Sequence, residues 1–396
     1  MAYITPNRYL SASYGKALRE CILTNYSFCQ LIDYSDKKVF EDASTYPVIT
    51  ILQNNKNNEF VLCGKFDDAH ELQYKRYPSD KLSILDEAIL GFLLNDKLAI
   101  SLKVIEQSES LSNVGEINAT STAKEADEYA PLIYEGTEGG YKLINTGTID
   151  PYIAKWGYST LTKQGNQYSR PLLPCDSVSI SVNRHHLYSS PKIVISKIGL
   201  SCEAFYDKSA EYASIDTNCI HSFTEEYFPE YVLCWLNSRL YNYVFECLFD
   251  GLRMSGGYLL FSAPNLKNTY IKHISIADQQ PFIELADTML ALKKDLQAKR
   301  ARFLRRLQEN MLGIKINGAL EIFDNLDFAG FVAELKKQKI KLTLVQQDEW
   351  EGYFNQYKTE CQSLKAQIAA TDKEIDKMVY ELYGLSEEEI EVVEGK

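Results

Sequence analysis

Residues 2–64 constrain this chain most, because they carry too few elements to close a core alone. A β-type run from Tyr3 reaches a turn at Pro6-Asn7, and helix formers at helical spacing follow over residues 14–23. Residues 28–32 read as a second strand. A polar loop carrying Phe40 then feeds a β-branched strand over residues 46–52, and residues 60–63 are expected to pair with it. One helix, two strands and a hairpin leave apolar faces uncovered, so this stretch is expected to be the closing third of a larger domain.

The remaining chain can bury real cores. Its 396 residues are 45% apolar, which suits two or three domains. No apolar run reaches membrane-spanning length and no leader pattern opens the chain, so a cytoplasmic location without membrane contact is expected. Nine scattered cysteines without a CxxC pair read as reduced, mostly buried thiols, and no metal site is expected. The formal net charge of −12 argues against a nonspecific nucleic-acid coat. Its distribution leaves room for a basic face: residues 151–207 hold six Lys/Arg against three Asp/Glu, residues 281–345 twelve against eight, and residues 346–396 five against thirteen.

Along the chain, residues 83–104 read as an apolar helix and strand. Residues 106–127 are rich in Ser, Asn, Thr, Ala and Glu, which suggests a linker or long loop. Short β-type runs follow, among them residues 141–145, 177–182, 192–198 and 258–262, interrupted by one helix over residues 231–249 that is apolar on nearly every face. From Phe282 the period changes. Phe282, Leu285, Met289, Leu292, Leu296 and Phe303 form one seam, and Tyr357, Cys361, Leu364, Ile368, Thr371, Ile375, Met378 and Leu382 a second. Two short amphipathic segments with Gly313, Gly318 and Gly330 between them predict a chain reversal and antiparallel packing.

The wording ITPNRYL, YGKALRECIL and VFEDASTYPVITIL resembles the last strands of adenine-N6 DNA methyltransferases in type IIG restriction-modification enzymes. GYKLINTGTIDPYIAKWG, SGGYLLFSAPNLKNTYIKHISI and TDKEIDKMVYELYGLSEEE resemble the TaqI-like specificity region that follows such a catalytic domain, and SLSNVGEIN its first element. The long helices resemble the spacers of type I specificity subunits. The resemblance implies a mixed α/β chain in three parts: an incomplete methyltransferase-like sheet over residues 1–104, a target-recognition domain over 105–280, and a helical pair over 281–396. Family members bind S-adenosylmethionine through a glycine-rich loop and hold the target amino group with an Asn-Pro-Pro-aromatic tetrapeptide. Gly139-Gly140 and Gly256-Gly257 lack the context of a nucleotide loop, and no Pro-Pro pair occurs. This chain alone is therefore expected to contribute no catalytic residue and to bind no cofactor. S-adenosylmethionine would belong to the complete enzyme, the partners being duplex DNA and an upstream or separate methyltransferase, with or without a nuclease domain. A noncatalytic specificity subunit and an acidic coiled-coil interaction protein are the alternatives.

By resemblance Phe40 matches the aromatic that stacks on an adenine flipped from the duplex, against the reading that it plugs the sheet end. Asn7 and Arg8 follow the first strand, where loops of an open α/β sheet line a ligand crevice. Asn145, Thr146 and Thr148 can read base edges from a turn, while Lys155, Lys163, Arg170, Arg184 and Lys197 can meet phosphates. Arg253, Ser255 and Tyr258 occupy a glycine-bearing loop, where Arg253 serves either a guanine or the preceding helix end. His185-His186 is expected at a strand end or loop. The basic run Lys293, Lys294, Lys299, Arg300, Arg302, Arg305 and Arg306 suits either phosphates or a solvated helix face.

Overall fold

The computed structural model describes residues 1–35, 46–55, 58–67, 69–83, 88–254 and 256–395. The first unit comprises β1 (Ala2–Pro6), α1 (Lys16–Asn25), β2 (Ser27–Asp33), β3 (Pro47–Gln53), β4 (Phe60–Phe66) and β5 (Leu72–Pro78), with sheet order β1-β3-β2-β4-β5. Phe28, Leu31, Val48 and Val61 bury one face, and α1 is tied down by Arg19, whose guanidinium donates to the carbonyls of Tyr9 and Ala12 at 2.6 and 2.7 Å. The expected pairing of β4 with β3 does not occur. Both edges of β3 are taken by β1 and β2, so β4 lies parallel to β2, with Leu31 opposite Cys63, and hands its other edge to β5. The described part of residues 83–104 contains no strand; it holds a 3-10 turn (Gly91–Leu94) and α2 (Leu98–Ile105).

Residues 106–127 are ordered rather than a linker. Their Ser, Thr and Asn side chains serve as caps: Ser110 accepts from the Ser112 N–H, and Thr122 and Glu125 form a reciprocal capping box that starts α3. The segment contributes β6 (Glu116–Ala119) and α3 (Ala123–Tyr129). Next come β7 (Tyr134–Glu135), β8 (Gly140–Asn145), β9 (Leu161–Lys163), β10 (Asn166–Tyr168), β11 (Pro171–Pro174), α4 (Val182–Tyr188), β12 (Lys192–Ser196), β13 (Ala204–Asp207), β14 (Tyr212–Ile215) and β15 (Thr217–His221). Two four-stranded sheets result, β14-β8-β11-β7 and β13-β12-β15-β6, antiparallel except for β14 beside β8. β9 and β10 stand apart as a two-stranded hairpin. Residues 177–181 are not a strand; they lead into α4, which Ser181 caps and which carries His185 and His186 on a helix instead of a strand end.

The single helix expected over residues 231–249 is two, α5 (Pro229–Asn237) and α6 (Arg239–Phe249). Ser238 takes an extended backbone, accepts from the Tyr241 N–H at 3.1 Å and so restarts the helix. Apolar spacing continues across this break, which hides it. The long pair is α7 (Ile276–Asn310) and α9 (Leu344–Tyr383), with α8 (Phe328–Lys337) between. α7 begins six residues before Phe282, capped by Ser275, and runs through Pro281 near its start. An ion pair joins Lys299 to Glu360, and the Phe303 and Tyr357 rings lie 5.9 Å apart, while Phe282 and Met289 share a core with Ile375 and Val379, so the helices are antiparallel. None of the named seam residues is exposed.

Asp376 of α9 is 5% exposed and accepts the Arg239 N–H that opens α6, at 2.9 Å, with the Arg239 Nε at 3.2 Å. Burial first, and neighbouring Asp372 next among the raising influences, push its carboxyl up to about 6. A folded pKa above the unfolded one gives stability that is present in acid and lost as pH rises through about 6. Asp376→Asn keeps the capping oxygen and removes that loss. Its unfolding free energy should therefore fall less than the parent's between pH 4 and 7, by up to about 3 kcal/mol. Parallel curves in denaturant titrations across that range would contradict this.

Candidate nucleic-acid interface

Several loops gather along one edge of the two four-stranded sheets. In the turn after β8, Thr146 Oγ1 donates to the Asp216 carbonyl at 2.5 Å and accepts the Lys197 N–H at 3.1 Å. The Lys197 carbonyl accepts the Phe261 N–H at 2.8 Å, and Gly199 pairs with Leu259, which brings the loop around Met254 and Tyr258 alongside. That loop closes with the Met254 N–H on the Tyr258 carbonyl at 2.8 Å, and Gly256 and Gly257 adopt φ of +85° and +79°, a region closed to most side chains. The Asp250–Leu252 turn before it backs onto the first unit: a Cβ added at Gly251 would sit 3.8 Å from Asn7 Nδ2. The fold thus strings Asn145, Thr146, Lys197, Tyr258, Arg253 and Asn7 into one line of neighbours, with Arg8 exposed at its end.

These residues differ in what they can offer a ligand. Thr148 is buried and its hydroxyl donates to the Asn145 carbonyl at 3.0 Å, so it holds the turn. Asn7 is half-buried, and its Oδ1 has no hydrogen-bond partner. Arg253 binds Glu246 and Asp250 and donates to the Gly257 carbonyl at 2.7 Å, an arrangement that closes the helix end. Tyr258, Met254 and Leu200 are exposed, and Arg8 and Lys197 have no ion-pair partner among the described residues. Phe40 and Ser255 lie outside the described residues.

The other proposed phosphate contacts differ in whether they are already engaged. Lys155 pairs with Asp150 at 2.8 Å and Lys163 with Asp127 at 3.0 Å. Arg184 forks onto Glu125 at 3.0 and 2.9 Å and donates to the Ala119 carbonyl at 2.6 Å, so it ties α4 to α3. The hydrogen bonds from Arg184 hold the Glu125 carboxyl down at about 2. Arg170 is exposed and borders a cleft of about 610 Å³ between the β14-β8-β11-β7 sheet and α7, where Lys142 lies 5.5 Å above the Trp156 ring and 5.6 Å above that of Tyr212. Of the basic run on α7, Lys299 and Arg300 are committed to Glu360 and Asp324.

Residues 142–258, which hold most of this line, match the family of TaqI-like C-terminal specificity domains. The chain carries a TaqI-like specificity domain. Residues 1–40 match the Eco57I restriction-modification methylase family, and residues 275–379 a domain of unknown function, DUF8810. No curated protein matches the chain. Among solved structures, the type IIG restriction endonuclease BpuSI is similar at 12% identity over 96% of this chain and 47% of that one, with a TM-score of 0.36. The type IIL restriction-modification enzyme MmeI, in complex with DNA, is similar at 9% identity over 98% of this chain and 48% of that one, with a TM-score of 0.40. The chain thus spans about half the length of these two.

Missing from the sequence-derived candidates are Gln164, Asn166 and Gln167, all exposed in the specificity domain on the β9-β10 hairpin. The available signal was a two-residue turn with glycine between short β-type runs.

The specificity domain is braced by Lys192, fully buried and opposite Asp207 in register. Its Nζ lies 2.6 Å from Asp207 and donates to the Tyr188 and Ser190 carbonyls, while Asp207 also accepts the N–H groups of Glu211 and Tyr212. Lys192→Met would leave a buried carboxylate without its cation, so the variant should lose about 3–5 kcal/mol in denaturant unfolding. A change within about 0.5 kcal/mol would show that the pair is not what braces the sheet.

Proposed function

We propose that this chain supplies the sequence-reading part of a type IIG restriction-modification enzyme that methylates adenine N6 in duplex DNA. The methylase part would bind S-adenosylmethionine and perform the transfer, while loops of the specificity domain select the site. One observation carries the reading: the line of polar specificity loops ends where the Asp250–Leu252 turn backs onto Asn7, in the segment matching a restriction-modification methylase. A duplex lying along that line would meet base-reading loops and the methylase side together.

The methylase part would be either upstream in the same polypeptide or a separate chain. The edge of β1 favours association in one of these two ways, since among the described residues β1 pairs only with β3, and it exposes Tyr3 and Ile4. Phe40 remains the proposed stacking partner of the extruded adenine, by family resemblance.

Exchanging residues 130–276 between two chains of different specificity tests the reading. The footprinted sequence should follow the exchanged segment. Affinity should also fall with rising salt, because Arg8, Arg170 and Lys197 would neutralise phosphates. Specificity that stays with the flanking parts would contradict the assignment.

A further inference from the structure

The β9-β10 hairpin has the build of a groove-reading ribbon. Lys163 pairs directly with Asn166, so the turn is only Gln164-Gly165, at φ of +48° and +80°. A Cβ at Gly165 would meet no atom within 4 Å, which places the tip in open solvent. Buried Leu161 and half-buried Tyr168 root the ribbon in the core beneath, and Lys163 clamps it to Asp127 of α3 at 3.0 Å. Thr162, Gln164, Asn166 and Gln167 remain exposed. Through α3 the ribbon joins the line of loops already described, since Ser121 Oγ, just before that helix, accepts the Asp216 N–H at 3.4 Å and the Asp216 carbonyl accepts from Thr146.

Charge narrows the occupant. From Pro151 to Cys175 the chain contains no Asp or Glu, although it holds 54 of them in 396 residues, and it places Lys155, Lys163 and Arg170 there. An acid-free ribbon displaying three side-chain amides suits a polyanion whose bases carry adjacent donors and acceptors. The major groove of duplex DNA admits a two-stranded ribbon, and Gln or Asn can bind adenine N6 and N7 with two hydrogen bonds.

We propose that the Leu161–Tyr168 hairpin enters the major groove and that Gln164, Asn166 and Gln167 read base edges there, with Arg170 fixing the register on a phosphate. This rests on the DNA-recognition reading above and assigns it a specific element. Among the described residues, only Gln164 of the three amides has a side-chain hydrogen bond, at 3.5 Å to Asp127, so they do little to hold the fold.

The test is selection from a randomised duplex pool, using the full chain and its Gln164→Ala, Asn166→Ala, Gln167→Ala triple variant, with melting curves to confirm equal folding. The parent should enrich a defined motif. The variant should lose preference at one or more of its positions, with discrimination there reduced roughly 5- to 150-fold, the worth of a bidentate contact. Its salt slope on a fixed duplex should stay unchanged, because no phosphate contact is removed. If the variant enriches the same motif as strongly, the ribbon is not a reader and the DNA-recognition reading survives without it. If the parent enriches no motif, that reading fails and the ribbon assignment fails with it.

Discussion

Burial of the α5-α6 pair is the constraint on which the rest of the molecule depends. Trp235, Leu236, Tyr241 and Phe245 are almost wholly excluded from solvent, and every unit of the chain contributes to the same core. On the specificity side, Asn237 exchanges two hydrogen bonds with Ala204, at 3.0 and 2.9 Å, and Asn242 accepts the Cys202 N–H at 2.6 Å. On the helical side, Trp235 lies 5.1 Å from the Tyr383 ring and Asp376 caps α6. On the sheet side, Lys97 pairs with Glu246. Burying such a pair between layers removes apolar surface from three partners at once, so displacing any one unit would expose it again. The spacing between the methylase-like turn at Asn7 and the specificity loops is consequently set by a packed core rather than by a linker.

That arrangement explains how an acidic chain can present a usable polar face. Many of its cations, among the described residues, are spent on partners within the fold. Arg184 ties α4 to α3, Lys192 braces two strands, Arg300 and Lys365 neutralise buried Asp324, and Arg253 closes a helix end. Arg8, Arg170 and Lys197 are left without a carboxylate partner among the described residues. On the proposed reading, a few free cations would position a duplex, and amides and hydroxyls would supply the discrimination.

What could be read in advance follows from the range of the interaction responsible. The helical seams were legible, since Tyr357 through Leu382 repeat a spacing that only a packed helix needs. The first four strands of the first unit were legible from their β-type runs, but not β5 or the strand order, because the neighbour of β4 depends on which edge β1 has already taken. Residues 106–127 looked like a linker since cap formers and loop formers are the same residues. The site was legible only in part. Asn7, Asn145 and Arg253 were identifiable as polar loop residues and Lys197 as a cation able to meet phosphate, yet nothing local distinguishes the free Lys197 from Arg184, whose partner Glu125 lies 59 residues away. Gln164, Asn166 and Gln167 went unseen because amides carry no charge signal, and it is the exposed hairpin that suggests the role proposed for them.

Hydrogen exchange of the full chain, with and without a duplex bearing its selected sequence, tests most directly whether this face is the one that reads DNA. Slowed exchange should concentrate in residues 145–148, 161–168, 197–200 and 253–258, leaving α8 and the distal ends of α7 and α9 at their free rates. Protection confined to the helical pair, or absent from all four loops while the duplex is bound, would contradict the account.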